Sequence, residues 1–157
     1  MTRVAGTEPA VVTDTSPLIA LARTGRDALL PRLFDRVVAP RAVAAEFGPL
    51  PLYIEIVDAP PDRSAELQAD LDPGEAEAIA LAERLGATLL IDERKGRRIA
   101  RASGIRVRGT VGVLILASER GLIPAIRPDL DALIAAGFHV SGTLYADALR
   151  LAGETPW

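Results

Sequence analysis

Short, β-rich apolar runs alternate along this chain with stretches of helical periodicity, and the connections between them are brief. Ala10 to Thr13 reads as a first strand. A helix follows with Ser16 as its cap, Pro17 at its first position, Leu18, Ile19, Leu21 and Ala22 as its apolar stripe and Gly25 as its stop. The pattern then predicts a helix over Arg26 to Phe34, a strand over Arg36 to Ala39, and a helix from Pro40 to about Phe47 that ends at Gly48-Pro49. Tyr53 to Val57 reads as a strand, Ala59-Pro60-Pro61 as a loop, and Asp62 to Leu71 as weakly helical. Asp72-Pro73-Gly74-Glu75 has the form of a helix start with acids at the positive end of the dipole, Ala76, Ile79, Ala80 and Ala82 are its packed face, and Gly86 is its stop. A buried strand is expected over Thr88 to Ile91, a helix over Glu93 to Ser103 and a strand over Ile105 to Val107. Three helices complete the chain, from Gly109-Thr110 to Arg120, from Pro128 to Ala136, and from the cap Ser141 to Leu151. Alternation of this kind builds a parallel sheet covered by helices on both faces.

Two of these strands run straight into a carboxylate. AVVTDTSPLIALA leads from Val11 and Val12 to Asp14, and TLLIDERKGRRIA leads from Leu89, Leu90 and Ile91 to Asp92. In an open α/β sheet, sites are built at the carboxyl ends of the strands, so both acids occupy positions suited to chemistry. Each candidate acid also has an ordinary reading. Asp14 alone is a helix cap, Glu46 a solvated helix glutamate, and Glu75 a first-turn charge favouring the dipole by about 0.3 to 1 kcal/mol. Two carboxylates at two strand ends point instead to a bound metal.

A length of 157 residues fits one domain, and a chain of that size buries roughly 70 % of its unfolded surface, so no covalent staple is needed. The domain is expected over residues 10–152, with flexible tails at 1–9 and 153–157. The chain has no cysteine, which excludes disulfides and thiolate metal sites. The N-terminus lacks a charged-then-apolar signal pattern, and the longest apolar runs, such as Val113 to Ala117, are too short to cross a bilayer, so a cytoplasmic protein is expected. The formal charge of −3 hides an uneven distribution, because Arg94, Lys95, Arg97, Arg98, Arg101, Arg106 and Arg108 follow one another with no acid among them. A solvated helix face accounts for many such runs, but this one begins directly after Asp92, which favours phosphate contacts.

The segments VVTDTSPLIALA, VVAPRAVAAEF, LDPGEAEAIALAERLGATLLIDERKGRRIA and RGTVGVLILASERGLI together resemble a PIN-like nuclease domain. They are similar in particular to the compact prokaryotic branch related to VapC-type toxins. The resemblance spans about Val11 to Leu151 and implies a three-layer α/β/α sandwich with a central parallel sheet, in which acids converge on one or two divalent cations. Asp14 matches the first-strand aspartate, Glu46 the helix glutamate, Glu75 the acid before the small-residue helix and Asp92 the aspartate after the fourth strand. Glu77 lies two residues beyond Glu75 as an auxiliary candidate, and Ser16 and Thr110 match hydroxyl positions near the acids. Glu93 stands where relatives often carry a second aspartate, and Glu75 stands where VapC-type toxins commonly have aspartate.

A site of carboxylates alone suits Mg²⁺ or Mn²⁺, whereas zinc favours imidazole and thiolate, and His139 is the one histidine. The resulting expectation is a metal-dependent ribonuclease in which Arg94, Lys95, Arg97 and Arg98 contact RNA phosphates, with a small antitoxin protein as the partner the resemblance implies. Two other classes compete. One is a non-catalytic nucleic-acid or partner-binding module on the same fold. The other is an aspartate phosphotransferase of the haloacid-dehalogenase type, which needs an aspartate two residues after its nucleophile, where this chain has Ser16. Val111 to Ala117 and Leu144 to Leu151 could each serve as a homodimer face or as core. His139 reads as structural or surface, and Tyr145 and Trp157 as packing or tail residues.

Overall fold

Strand β1 (Glu8–Thr13) sends Val11 to one face and Val12 to the other, and neither retains any exposed surface. A strand buried on both faces belongs at the centre of a parallel sheet. In the computed structural model, which describes residues 7–156, β1 pairs in parallel with β2 (Phe34–Ala39) on one side and with β4 (Thr88–Leu90) on the other. β3 (Ile54–Ile56) extends the sheet beyond β2, and β5 (Val107–Arg108) extends it beyond β4, giving the order β3-β2-β1-β4-β5. The register places Val12 beside Val38 and Leu89, and Thr13 beside Leu90.

Helices cover both faces. On one side Val11, Val37 and Leu90 pack with α1 (Thr15–Arg23), α2 (Leu30–Leu33), Val43 of α3 (Arg41–Phe47), α7 (Thr110–Glu119), α8 (Arg127–Ala135) and α9 (Gly142–Leu151). On the other side Val12, Val38, Leu89 and Ile91 pack with α4 (Pro61–Leu67), α5 (Pro73–Leu85) and α6 (Arg94–Ala102). The architecture is a three-layer α/β/α sandwich around a parallel sheet. Between β1 and β4 the strand order reverses direction, because the chain leaves β1 towards β2 and β3 and later returns on the opposite side. That reversal opens a crevice beyond the carboxyl ends of β1 and β4, the position where open α/β sheets bind ligands.

Several elements differ from the sequence reading. β1 takes in Glu8 and Pro9, while residues 1–6 of the expected N-terminal tail and Trp157 lie outside the described residues. The expected helix over Arg26 to Phe34 is a 3₁₀ turn (Asp27–Leu29) followed by the single-turn α2. Pro31 lacks the amide that would join them, and Phe34 is already extended and buried in β2. Ile105 closes α6 rather than opening a strand: Gly104 turns left-handed at φ +80°, and the Ile105 amide donates to Ala100 O at 3.0 Å. α1 starts at Thr15, so Asp14 and not Ser16 holds the cap position. Glu154, placed in the expected C-terminal tail, accepts from the Ile126 amide at 2.7 Å and fixes that segment to the start of α8. Within α7, Val113, Leu114, Leu116 and Ala117 are core, while Leu144 and Leu151 of α9 stay exposed. Among the described residues no helix is long and apolar enough to cross a membrane.

Candidate active site at the β1–β4 crevice

β1 ends one residue before Asp14, and α1 begins one residue after it. The Asp14 amide donates to Leu90 O at 2.9 Å, which ties the end of β1 to the end of β4. Although Asp14 is at the cap position, its side chain accepts no cap hydrogen bond from α1. Its carboxyl group is buried, and burial pushes its pKa from 3.8 up to about 6; the Thr15 amide pulls the other way, while the charges of Asp72, Glu46 and Asp92 add to the rise.

The acids around Asp14 come from three other segments. Glu46, near the end of α3, has its Oε2 held by the Thr15 hydroxyl at 2.8 Å. Asp72 and Glu75 form a capping box at the start of α5: the Glu75 amide donates to Asp72 Oδ1 at 2.8 Å, and the Asp72 amide donates to Glu75 Oε1 at 3.3 Å. Gly74 lies between them and is buried. A Cβ there would sit 3.0 Å from Glu46 Oε2, 3.5 Å from Asp72 Oδ1 and 3.6 Å from Asp14 Oδ1, so three carboxylates border the space that a side chain at Gly74 would fill. Burial pushes the Glu75 pKa up to about 7; its backbone bond in the capping box opposes this, and the Asp72 and Asp14 charges reinforce it.

Asp92 stands across the crevice at the end of β4, with both oxygens held by Thr110 at the start of α7. The Thr110 amide donates to Oδ1 at 2.8 Å and its hydroxyl to Oδ2 at 2.6 Å. Glu93 caps α6 by accepting from the Gly96 amide at 2.6 Å and the Lys95 amide at 3.0 Å, bonds that hold its pKa below the ordinary value. Ser16 is exposed in the first turn of α1 and faces a groove shared with Asp92 and Thr110. Glu77 is elsewhere, since its carboxylate accepts from the Ala42 amide at 3.2 Å and anchors the start of α3.

The basic run divides. Arg94, Lys95 and Arg98 are exposed on α6, with Lys95 Nζ 3.8 Å from Asp70 Oδ1. Arg97 folds back beneath the site, its Nη1 donating to Ile91 O at 2.8 Å close to Asp92. Arg108 pairs with Glu8 at 2.5 Å.

A family model described as a PIN domain matches residues 10–154, nearly the whole chain. The chain is a PIN domain. No curated protein matches it. PIN domains are in general nucleases that act on nucleic acid and typically use divalent metal ions, and the crevice of this PIN domain has the acidic character that such a role requires. Among the described residues, no group of three or more acids or histidines already stands at metal-coordinating spacing.

Asp72 is the acid that sequence reasoning passed over, because its place in Asp-Pro-Gly-Glu is fully explained by helix capping. The two acids flanking Gly74 in that motif were the available signal. Thr15 left no signal, since nothing in the sequence relates its hydroxyl to Glu46.

Proposed function

We propose that this PIN domain is an endoribonuclease that requires Mg²⁺ or Mn²⁺, with Asp14, Glu46, Glu75 and Asp92 as the ion's ligands, and that it acts as the toxin of a toxin–antitoxin pair with a small antitoxin protein as its partner. One observation carries the reading: buried Asp14 shares the space beside Gly74 with the carboxylates of Glu46 and Asp72, and burial, reinforced by neighbouring acids, raises its pKa. Neighbouring uncompensated acids destabilise one another, and a hard cation is the partner that relieves them. The donor set is carboxylate oxygen alone, which fits these two ions, and the bare Cα of Gly74 leaves room beside two of these acids, Asp14 and Glu46, and beside Asp72. When bound, the ion supplies charge for the phosphate and a water of lowered pKa.

The chain's own residues have separate tasks. Thr110 fixes the orientation of Asp92, and Thr15 fixes that of Glu46. Arg94, Lys95 and Arg98 offer exposed charge to phosphates flanking the scissile bond, and burial of Asp14 keeps water from competing for its oxygens. The test is cleavage of single-stranded RNA with Mn²⁺ by the wild type and by Asp14→Asn and Asp92→Asn, with folding checked by circular dichroism. Loss of cleavage in both folded variants is expected. Wild-type rates in both would overturn the assignment.

A second reading has one observation in its favour. Thr110 already bonds both oxygens of Asp92, and the Arg97 guanidinium lies close by, an arrangement that serves a binding module which has no turnover. Calorimetric titration with Mn²⁺ separates the two: heat of binding supports the nuclease, and its absence at millimolar metal supports the module.

A further inference from the structure

A groove of about 350 Å³ opens beside Asp92, between α1, α7, α9 and the segment joining α8 to α9. Asp92, Thr110 and Ser16 line it where it meets the crevice, Val111 and Leu133 are among its apolar walls, and the neighbouring residues Phe138 and His139 line it as well. The volume is at the small end of ligand pockets, suited to one flat ring system with its sugar and too small for a docked helix. Phe138 is half-buried against the core, and the Arg23 guanidinium carbon lies over its ring, 5.7 Å from the centroid, so one face carries positive charge and stacking on Phe138 falls to the opposite face. Exposed His139 adds an imidazole edge that can donate and accept, in a wall that is otherwise apolar.

An aromatic face, a polar edge, a neighbouring cation and direct continuity with a phosphodiester-cleaving site are what an unstacked base requires. We propose that this groove receives one base of single-stranded RNA, from a nucleotide next to the scissile phosphate, with Phe138 as its stacking surface and His139 as the contact to its hydrogen-bonding edge. The proposal rests on the ribonuclease reading and adds to it a base-binding subsite beside the cleavage site. Duplex RNA keeps its bases paired and cannot fill the groove.

The test is equilibrium binding by fluorescence anisotropy, in Ca²⁺, of two labelled single-stranded hexanucleotides, one carrying bases and one with abasic sugars throughout. Wild type is expected to bind the base-bearing strand about tenfold more tightly. Val111→Trp, which fills the groove, should bind both strands alike, and His139→Ala, at an exposed position, should lose part of the preference with an unchanged thermal midpoint. Equal affinity of the wild type for the two strands overturns the proposal. So does a groove occupied by a second copy of the chain, read as dimerisation in sedimentation that Val111→Trp abolishes. Cleavage by none of the proteins bears on the nuclease assignment alone, because the anisotropy measurement requires no turnover, whereas Mn²⁺-dependent cleavage undiminished in Val111→Trp counts against the groove.

Discussion

Thr110 holds both oxygens of the Asp92 carboxylate, its amide on Oδ1 at 2.8 Å and its hydroxyl on Oδ2 at 2.6 Å. The amide bond depends only on where α7 begins, whereas the hydroxyl bond depends on the side chain. Thr110→Val keeps shape and amide and removes the hydroxyl. A lost hydrogen bond to a charged group corresponds to about 1.5 to 3 kcal/mol, so Mn²⁺-dependent cleavage should fall about 10- to 100-fold. Thr110→Ser should recover most of it. Steady-state kinetics on the three proteins checks this, and a Thr110→Val rate equal to wild type would remove Thr110 from the machinery.

Asp14 links acidity to stability. Its folded-state pKa of about 6 lies above the ordinary 3.8, so between those values the folded protein binds more protons than the unfolded one. Stability of the protein without metal therefore rises as pH falls from neutral through about 6 towards about 4, the reverse of the usual carboxylate behaviour. At pH near 7.5 Asp14→Asn should be more stable than wild type. The ceiling, set by the gap between 3.8 and about 6, is about 3 kcal/mol. Urea unfolding in chelator at several pH values measures it, and added Mn²⁺ should stabilise wild type while leaving the variant unchanged.

Asp72 caps α5 and also borders the acidic crevice, and one substitution separates these roles. Asp72→Ser preserves a good cap, so stability should change by no more than about 0.5 kcal/mol. It removes a charge that raises the pKa values of both Asp14 and Glu75, so both should titrate closer to their ordinary values. If Asp72 helps to attract the ion, calorimetry should show Mn²⁺ affinity about tenfold weaker. Unchanged affinity would leave Asp72 as a cap alone.

The arginines of α6 differ in what they face. Arg94 and Arg98 are exposed, so each alanine variant should weaken RNA binding and reduce the slope of log affinity against log salt by about 0.7. Arg97 donates to Ile91 O at 2.8 Å, so Arg97→Ala should cost stability, about 1 kcal/mol, with little change in the salt slope. Anisotropy titrations across a salt series distinguish the two behaviours.

How much was legible follows from where the information resides. β1 and β4 were readable because a strand buried on both faces is a continuous apolar run, and Asp14 and Asp92 were readable because a charge directly after such a run has no solvent-facing position along the strand to explain it. Arg97 was not distinguishable from Arg98, since which arginine of a basic helix folds back depends on the position of β4, a tertiary fact. The broken helix before β2 was within reach, because Pro31 is in the sequence and removes the amide that continuity needs. Asp72 remained hidden because its local role was sufficient by itself.

Gly74 offers the sharpest separation of fold from function. It lies in the first turn of α5, where alanine is intrinsically better than glycine by up to about 1 kcal/mol. The new Cβ would fall 3.0 Å from Glu46 Oε2, closer than ordinary contact, and that oxygen is the one the Thr15 hydroxyl holds at 2.8 Å, so Glu46 gives way by loosening that bond. Moving aside takes Glu46 away from Asp14. Gly74→Ala should therefore unfold within a few degrees of wild type, the helix gain offsetting the loosened Thr15 bond, while Mn²⁺ affinity and cleavage both decline. Gly74→Val, with two further methyl groups pressing on the same carboxylates, should lose more. A Gly74→Ala protein that cleaves RNA at the wild-type rate would mean that Glu46 does its work, if it has any in the reaction, from a position that the added methyl does not disturb, and Glu46 would then leave the ligand set.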